Sequence, residues 1–456
     1  MTRIGYRRYL LTVLLVIMAF NYVDRLALGL ALQNIKTDLQ LSDTQLGFLG
    51  GIAFALFYSL MGIPIARWAD RGNRVTIITV TTALWSVAVA LCGLAGSFVQ
   101  LMLIRVGVAV GEAGCIPPAH SLIADYFNRA ERPRAVAIYM LGGGLSVVIG
   151  YFFAGWLNEF LGWRRMFIVL GLPGAALVAL AWFTLLEPRR EKRKELADRG
   201  ACADAPGSQS AAVPPAQPSL KVVCVTLWTN VTFRHLLLCF SVVYFFGYGI
   251  LQWQPAFFIR SYGFQTGELG TWFAMIYGVG GLLGTYWGGE WASRRAANNE
   301  RSQLRALAVA YSSFGVLSAP IYLATNQYLA FGLMSITAVV GAAATGPLFA
   351  TIQTLVPQHM RATSIAIIYL FANLIGMGLG PLATGALSDA LHPWLGEESL
   401  RYALLALCPG YLWGGWHLWR ASKTVARDLE EVTSNFDSST SDESALSGAT
   451  TKTFAA

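Results

Sequence analysis

Apolar stretches of about twenty residues recur along this chain, each long enough to cross a hydrocarbon layer about 30 Å thick as a helix. We read twelve such spans, approximately 8–32, 44–66, 75–96, 99–125, 135–157, 165–186, 235–258, 268–291, 304–324, 327–356, 361–388 and 399–420. Apolar residues make up 55% of the chain and charged residues 13%. That balance leaves too little polar surface to clothe so many apolar helices in water. The fold class that follows is all-α and integral to the membrane, with twelve transmembrane helices.

Basic residues set the expected orientation. Arg3, Arg7, Arg8, Arg67, Arg71, Arg74, Arg129, Arg132, Arg134 and the run from Arg189 to Lys194 all fall on one side. The opposite side carries only Lys36, Arg164, Arg165, Arg260 and Arg401. This bias places both termini in the cytoplasm. The formal net charge of +8 then reflects topology and anionic lipid head groups, and no nucleic-acid motif accompanies it. The apolar run Tyr9 to Leu32 is too long for a cleavable signal peptide, and no small-residue cleavage site follows it.

Composition changes abruptly after Glu187, where a basic run leads into Ala-Pro-Gly-Ser-Gln-Ser and similar sequence that cannot bury a core. The expected organisation is an N-terminal six-helix bundle at 1–186, a cytoplasmic linker at 187–234, a C-terminal six-helix bundle at 235–420 and a disordered cytoplasmic tail at 421–456. The two halves echo each other. Ala66-Arg-Trp-Ala-Asp70-Arg71-Gly72-Asn-Arg74 follows span 2, and Gly289-Glu-Trp-Ala-Ser293-Arg294-Arg295 follows span 8. Two pseudo-symmetric six-helix repeats with a path between them form the architecture that such symmetry predicts for a carrier.

The first of these loops resembles the signature of the major facilitator superfamily, Gly-x-x-x-Asp-Arg followed by glycine and basic residues. Ala66 stands for the leading glycine, Asp70 and Arg71 match, and Asn73 occupies a position where glycine is usual. The second copy keeps Gly289 and Arg294 but has Ser293 for the aspartate. Asn21-Tyr-Val-Asp24-Arg25, Arg105-x6-Glu112-Ala and Gly162-Trp-Arg164 narrow the resemblance to the Spinster-like branch. That branch consists of proton-linked transporters, including exporters of lysolipid and sphingoid phosphates. The resemblance covers about residues 8–420 and implies proton-coupling roles for Asp24 and Glu112.

The residues themselves support a coupling site. Asp24, Arg25, Arg105 and Glu112 lie inside apolar spans, where each ionised group costs roughly 2.5–3.5 kcal/mol unless it faces a partner or water. Arg105 and Glu112 are two helical turns apart, roughly 10 Å along the axis, so each is expected to partner span 1 or water. Asp24 and Arg25 splay about 100° apart. Asp24 and Glu112 are the expected proton carriers, Arg105 a switchable counter-charge and Arg25 a second cation for proton or substrate anion. A static salt bridge locking two helices together is the competing reading. Asp70, Arg71 and Arg74 are expected to form a gate at the cytoplasmic end of span 2, weaker in the second half where Ser293 lacks charge.

In the second half, Tyr244, Tyr248 and Gln252 recur every four residues on span 7, and Tyr369 and Asn373 repeat that spacing on span 11. These are the candidate substrate-binding residues, against a reading as helix–helix glue or an interfacial aromatic belt. A charged first-half wall facing an aromatic one suits a cargo with a polar head and an apolar body. The chain is therefore expected to be a monomeric proton-coupled secondary transporter of the cell (inner) membrane. Its partners are protons, a small amphipathic or lipid-like substrate and the bilayer, with no cofactor and no metal. The alternatives are a proton-coupled importer of a small organic or sugar acid, gripped by Arg25 and Arg105, and a non-transporting sensor on the same fold. Catalysis finds no support: the histidines and six cysteines show no metal spacing, and no Ser/His/Asp arrangement is present.

Overall fold

A computed structural model describes residues 3–128, 130–188, 220–295, 299–356 and 360–430. Most of the expected linker and residues 431–456 of the expected tail lie outside these. The described chain is helical, and nine of its helices are long and apolar enough to cross a membrane. Two of them, Arg132–Thr184 and Thr363–Glu430, are far longer than the roughly twenty residues one crossing needs. The first turns back at Gly162, whose φ of 78° and ψ of 162° leave helical space. A side chain there would be strained, so glycine marks the corner between spans 5 and 6. The second is interrupted by a 3₁₀ turn at Gly396–Glu398.

Helix starts follow ordinary capping chemistry. Ser42 and Gln45 form a reciprocal capping box, and Asn73, Ser97 and Asn230 each accept from a first-turn amide. The helix after span 12 continues to Glu430, beyond the expected boundary at 420, because it is tied down. Buried Asp428 accepts from the Thr232 amide at the start of span 7. Likewise Leu220–Thr229 is a separate helix inside the segment expected as linker.

The molecule exposes large apolar side chains while a few charged groups are buried inside its apolar core. Phe160, Phe183, Leu94 and Trp394 are among its most exposed side chains. Asp24, Arg105, Glu112, Asp43 and Arg74 are buried. The first and last described residues lie at one end of the bundle. Tyr6 at the start of span 1 accepts from the Leu186 amide after span 6, and Thr232 meets Thr424.

Small residues bring the spans together. A Cβ on Gly111 would lie 2.6 Å from the Trp85 backbone nitrogen, so spans 3 and 4 touch backbone to backbone there. Six spans are irregular along their length, span 12 among them with a turn at Cys408–Pro409. Span 1 breaks at Tyr22, between Arg3–Asn21 and Val23–Leu39. Span 2 breaks at Gly51, where a Cβ would come within 2.4 Å of the Gly378 carbonyl. Span 4 breaks between Glu112 and Ile116, just ahead of Pro117 and Pro118. Spans 8 and 11 contain π-helical segments, Ala274–Val279 and Ala372–Leu379. Non-helical backbone at membrane depth is tolerated where it lines a protein-enclosed cavity, and π segments recur at functional sites.

Candidate functional site

The breaks in spans 1 and 4 flank the buried charges. Asp24 and Arg25 open the second half of span 1, and Glu112 ends the first half of span 4. Arg105 donates from Nη1 to Asp24 Oδ2 at 2.5 Å. Arg25 donates from Nε and Nη2 to Glu112 Oε2, at 2.8 and 2.5 Å. The two helices thus exchange charges crosswise, each arginine going to the carboxylate on the other span. Sealed ion pairs like these are costly to break one partner at a time.

Each carboxylate spends only one oxygen on its arginine. Asp24 Oδ1 and Glu112 Oε1 are buried with no hydrogen-bond partner among the described residues.

Arg25 is additionally caged by aromatic rings. Its guanidinium carbon lies 4.3 Å from the Tyr22 ring centroid, 4.4 Å from Phe54 and 4.8 Å from Tyr58. A desolvated cation gains about 2 kcal/mol or more over such a face. Its Nη1 reaches Met377 Sδ on span 11 at 3.9 Å, so this arginine touches both halves.

A cavity of about 370 Å³ lies in the C-terminal half. Tyr244, Tyr248, Tyr277, Tyr311, Tyr322 and Tyr411 line it together with Val243, Ile250 and Leu251. Tyr244 and Tyr248, expected from sequence, stand with ring centroids 5.7 Å apart. Gln254 was not anticipated. Its Nε2 donates to Tyr322 Oη at 3.0 Å and its Oε1 accepts from Tyr277, so one buried amide holds two phenols. Gln252 instead faces spans 1 and 2: its Nε2 would lie 2.9 Å from a Cβ on Gly50 and 3.8 Å from one on Gly29, and it has no partner among the described residues. Tyr369 stacks on Phe349 with centroids 5.2 Å apart, and Asn373 sits in the π segment of span 11.

The expected gating residues are not gathered in one place. Arg74 is fully buried and pairs with Glu187 after span 6 and with Asp125 at the end of span 4 at 2.7 Å. It also donates to the Ser121 carbonyl at 3.0 Å. It ties together helix ends within the N-terminal half. Asp70 and Arg71 are exposed. In the second half Arg294 pairs with Glu290 on its own helix.

A buried charge cluster that sequence reasoning missed joins the two halves at the end opposite the termini. Arg260, at the end of span 7, donates from Nη1 and Nη2 to both oxygens of Asp43, at 2.8 and 2.7 Å. Asp43, at the start of span 2, also accepts from Lys36 Nζ and from Ser388 Oγ on span 11, each at 2.7 Å. Gln33 Oε1 accepts from Arg260 Nε at 2.6 Å. Asp389 reciprocates by accepting from the amides of Asp43 and Thr44, at 3.0 and 2.7 Å. Alongside, Glu159 accepts from the Gly267 amide at 2.7 Å, and Thr266 Oγ1 donates to the Gly155 carbonyl at 3.0 Å. Asp43 and Arg260 sat in short loops in the sequence, where charges are ordinarily solvated.

A multi-pass helical membrane protein with broken helices around a buried charged site and a cavity in its C-terminal half belongs to the class of membrane transporters. The sequence profile of the Major Facilitator Superfamily matches residues 14–412, and this chain belongs to that family. An MFS-type efflux pump of Mycolicibacterium smegmatis is 31% identical over 424 residues, 92% of this chain and 93% of that protein. A D-galactonate transporter of Escherichia coli is 32% identical over 189 residues, 41% of this chain and 43% of that protein. The expected Spinster likeness is present in three dimensions. The crystal structure of a bacterial homologue of the human lysosomal transporter Spinster, inward-facing and unoccupied, matches with a TM-score of 0.79 and 29% identity. It covers 93% of this chain and 98% of that one. The chain is therefore a transporter, not an enzyme.

Proposed function

We propose that this protein is a proton-coupled secondary transporter that moves an amphipathic or lipid-like substrate by alternating access. The observation that carries the reading is the crossed arrangement of Asp24–Arg105 and Arg25–Glu112, with one oxygen of each carboxylate unpartnered. Asp24 and Glu112 take the proton. Arg105 and Arg25 are the counter-charges, and moving an arginine away from a sealed carboxylate favours its neutral form. The substrate's polar head meets Arg25, and its apolar body enters the tyrosine-lined cavity beside Tyr244 and Tyr248. Gln252, Tyr369 and Asn373 complete the passage between halves. The N-terminal bundle (1–186) rocks against the C-terminal bundle (235–420). Asp70, Arg71 and Arg74 brace the termini end in the opposite state. The protein works as a monomer in the cell inner membrane with both termini in the cytoplasm, so the conformation described above faces inward.

A second reading is import of a sugar acid, favoured by the similarity to the galactonate transporter and by the caged Arg25, which suits a carboxylate. Proteoliposomes holding the full chain separate the two. Proton movement is followed with a pH-sensitive dye while lysolipids, amphipathic cations and sugar acids are supplied on either side. Substrate-dependent proton flux that Asp24→Asn or Glu112→Gln abolishes supports coupling. Undiminished transport with both carboxylates neutralised refutes it. Uptake of a sugar acid down an imposed proton gradient, with no response to amphiphiles, selects the second reading.

A further inference from the structure

At the end of the bundle that carries the termini, spans 1 and 5 enclose a cavity of about 530 Å³ away from the transport path. Its mouth holds Arg7, Arg8 and Arg134, with Glu131 as the carboxylate opposite. Arg7 is committed: it pairs with Glu131 and lies 4.5 Å over the Phe127 ring, yet its Nε is buried with no partner. Arg8 and Arg134 make no ion pair with another described residue. Three arginines against one carboxylate leave an excess of positive charge at the mouth.

The interior has the opposite character. Leu11 and Ile138 line it, and each stands about one helical turn, roughly 5 Å, deeper along its span than Arg8 and Arg134. A cationic rim above an apolar wall matches an amphiphile whose head is anionic and whose chain enters the bilayer. A free phosphate ion would satisfy the rim and leave the wall unused. Basic pockets between transmembrane helices on the face richest in arginine are suited to acidic lipid head groups. We infer that this cavity is a binding site for an anionic phospholipid of the surrounding membrane, separate from the transported cargo.

Native mass spectrometry of the full chain in detergent tests it, with phosphatidylglycerol and phosphatidylcholine of the same acyl chains as probes. Phosphatidylglycerol is expected to bind in preference to phosphatidylcholine. Replacing Arg8 and Arg134 together (R8Q with R134Q) should weaken that binding roughly 30-fold, the worth of two basic side chains at a lipid surface. Ile138→Trp keeps the charges and fills the wall, so it should also block binding, and it decides alone if the double variant does not fold. Equal binding of the two lipids, or phosphatidylglycerol binding indifferent to these substitutions, overturns the inference. Displacement by millimolar inorganic phosphate together with full binding to the Ile138→Trp variant identifies a phosphate-ion site and overturns it too.

Discussion

Asp43→Asn is the sharpest perturbation of the contact between halves, because it keeps the side-chain shape and removes only the charge. In the closed arrangement Asp43 accepts two bonds from Arg260 and one each from Lys36 and Ser388, and both Asp43 and Arg260 are almost fully buried. Orphaning one member of a buried pair costs about 3–5 kcal/mol. Gln33 still holds Arg260 Nε and Asp389 is near, so the lower figure of about 3 kcal/mol applies, equivalent to roughly 150-fold in population. The loss falls only on the conformation that makes the contact, so the protein should shift toward states open at this end. Spin labels on cysteines replacing the exposed Thr37 and Ala390, on opposite halves beside the cluster, report this by electron–electron distance measurement. The native chain should give one short distance, and Asp43→Asn should add a longer one. Arg260→Gln should do the same, with the double substitution short of the sum of the two. Unchanged distances in both folded single variants would falsify the latch.

Two glycines that look alike in sequence should behave differently. A Cβ on Gly155 would lie 2.5 Å from the Thr266 carbonyl across the two halves, whereas one on Gly111 meets Trp85 within a single half. Gly155→Ala should therefore lengthen the same spin-label distance with little change in Tm. Gly111→Ala should lower Tm by an overpacking cost of about 1–3 kcal/mol and leave the distances alone. Gln254→Leu removes the amide that holds Tyr277 and Tyr322 and leaves both buried phenols to find new partners. An unmet buried polar group costs about 1–3 kcal/mol, so half-saturation by a substrate that fills this cavity should rise roughly tenfold, with the carboxylate-dependent proton response retained. An unchanged substrate dependence would place the substrate elsewhere.

The charged core was legible because a bilayer leaves few reasons to keep Asp24, Arg25, Arg105 and Glu112. Their spacing also carried information. Two turns between Arg105 and Glu112 excluded a pair along one helix, and the partners do lie on span 1. The π segments contain glycines, Gly278 in span 8 and Gly376 and Gly378 in span 11. The tyrosine cavity was half legible. Tyr244 and Tyr248 share one helix and show a period, but Tyr277, Tyr311, Tyr322 and Tyr411 are spread over spans 8, 9 and 12, and no local pattern unites them.

Arg74 and Asp43 mark the limit from opposite sides. Both sit at helix ends in short polar loops, where a charge is most economically read as solvated or as setting topology. Arg74 drew attention through its signature motif, yet its partners Asp125 and Glu187 bind it inside one half. Asp43 belongs to no motif, yet its partners Arg260 and Ser388 come from the other half. What separates a brace from a latch is which rigid body supplies the partner, and that is a property of the assembled bundles. A charge at mid-depth reveals itself by its energetic cost, whereas a charge at a helix end declares its role only when the far half arrives.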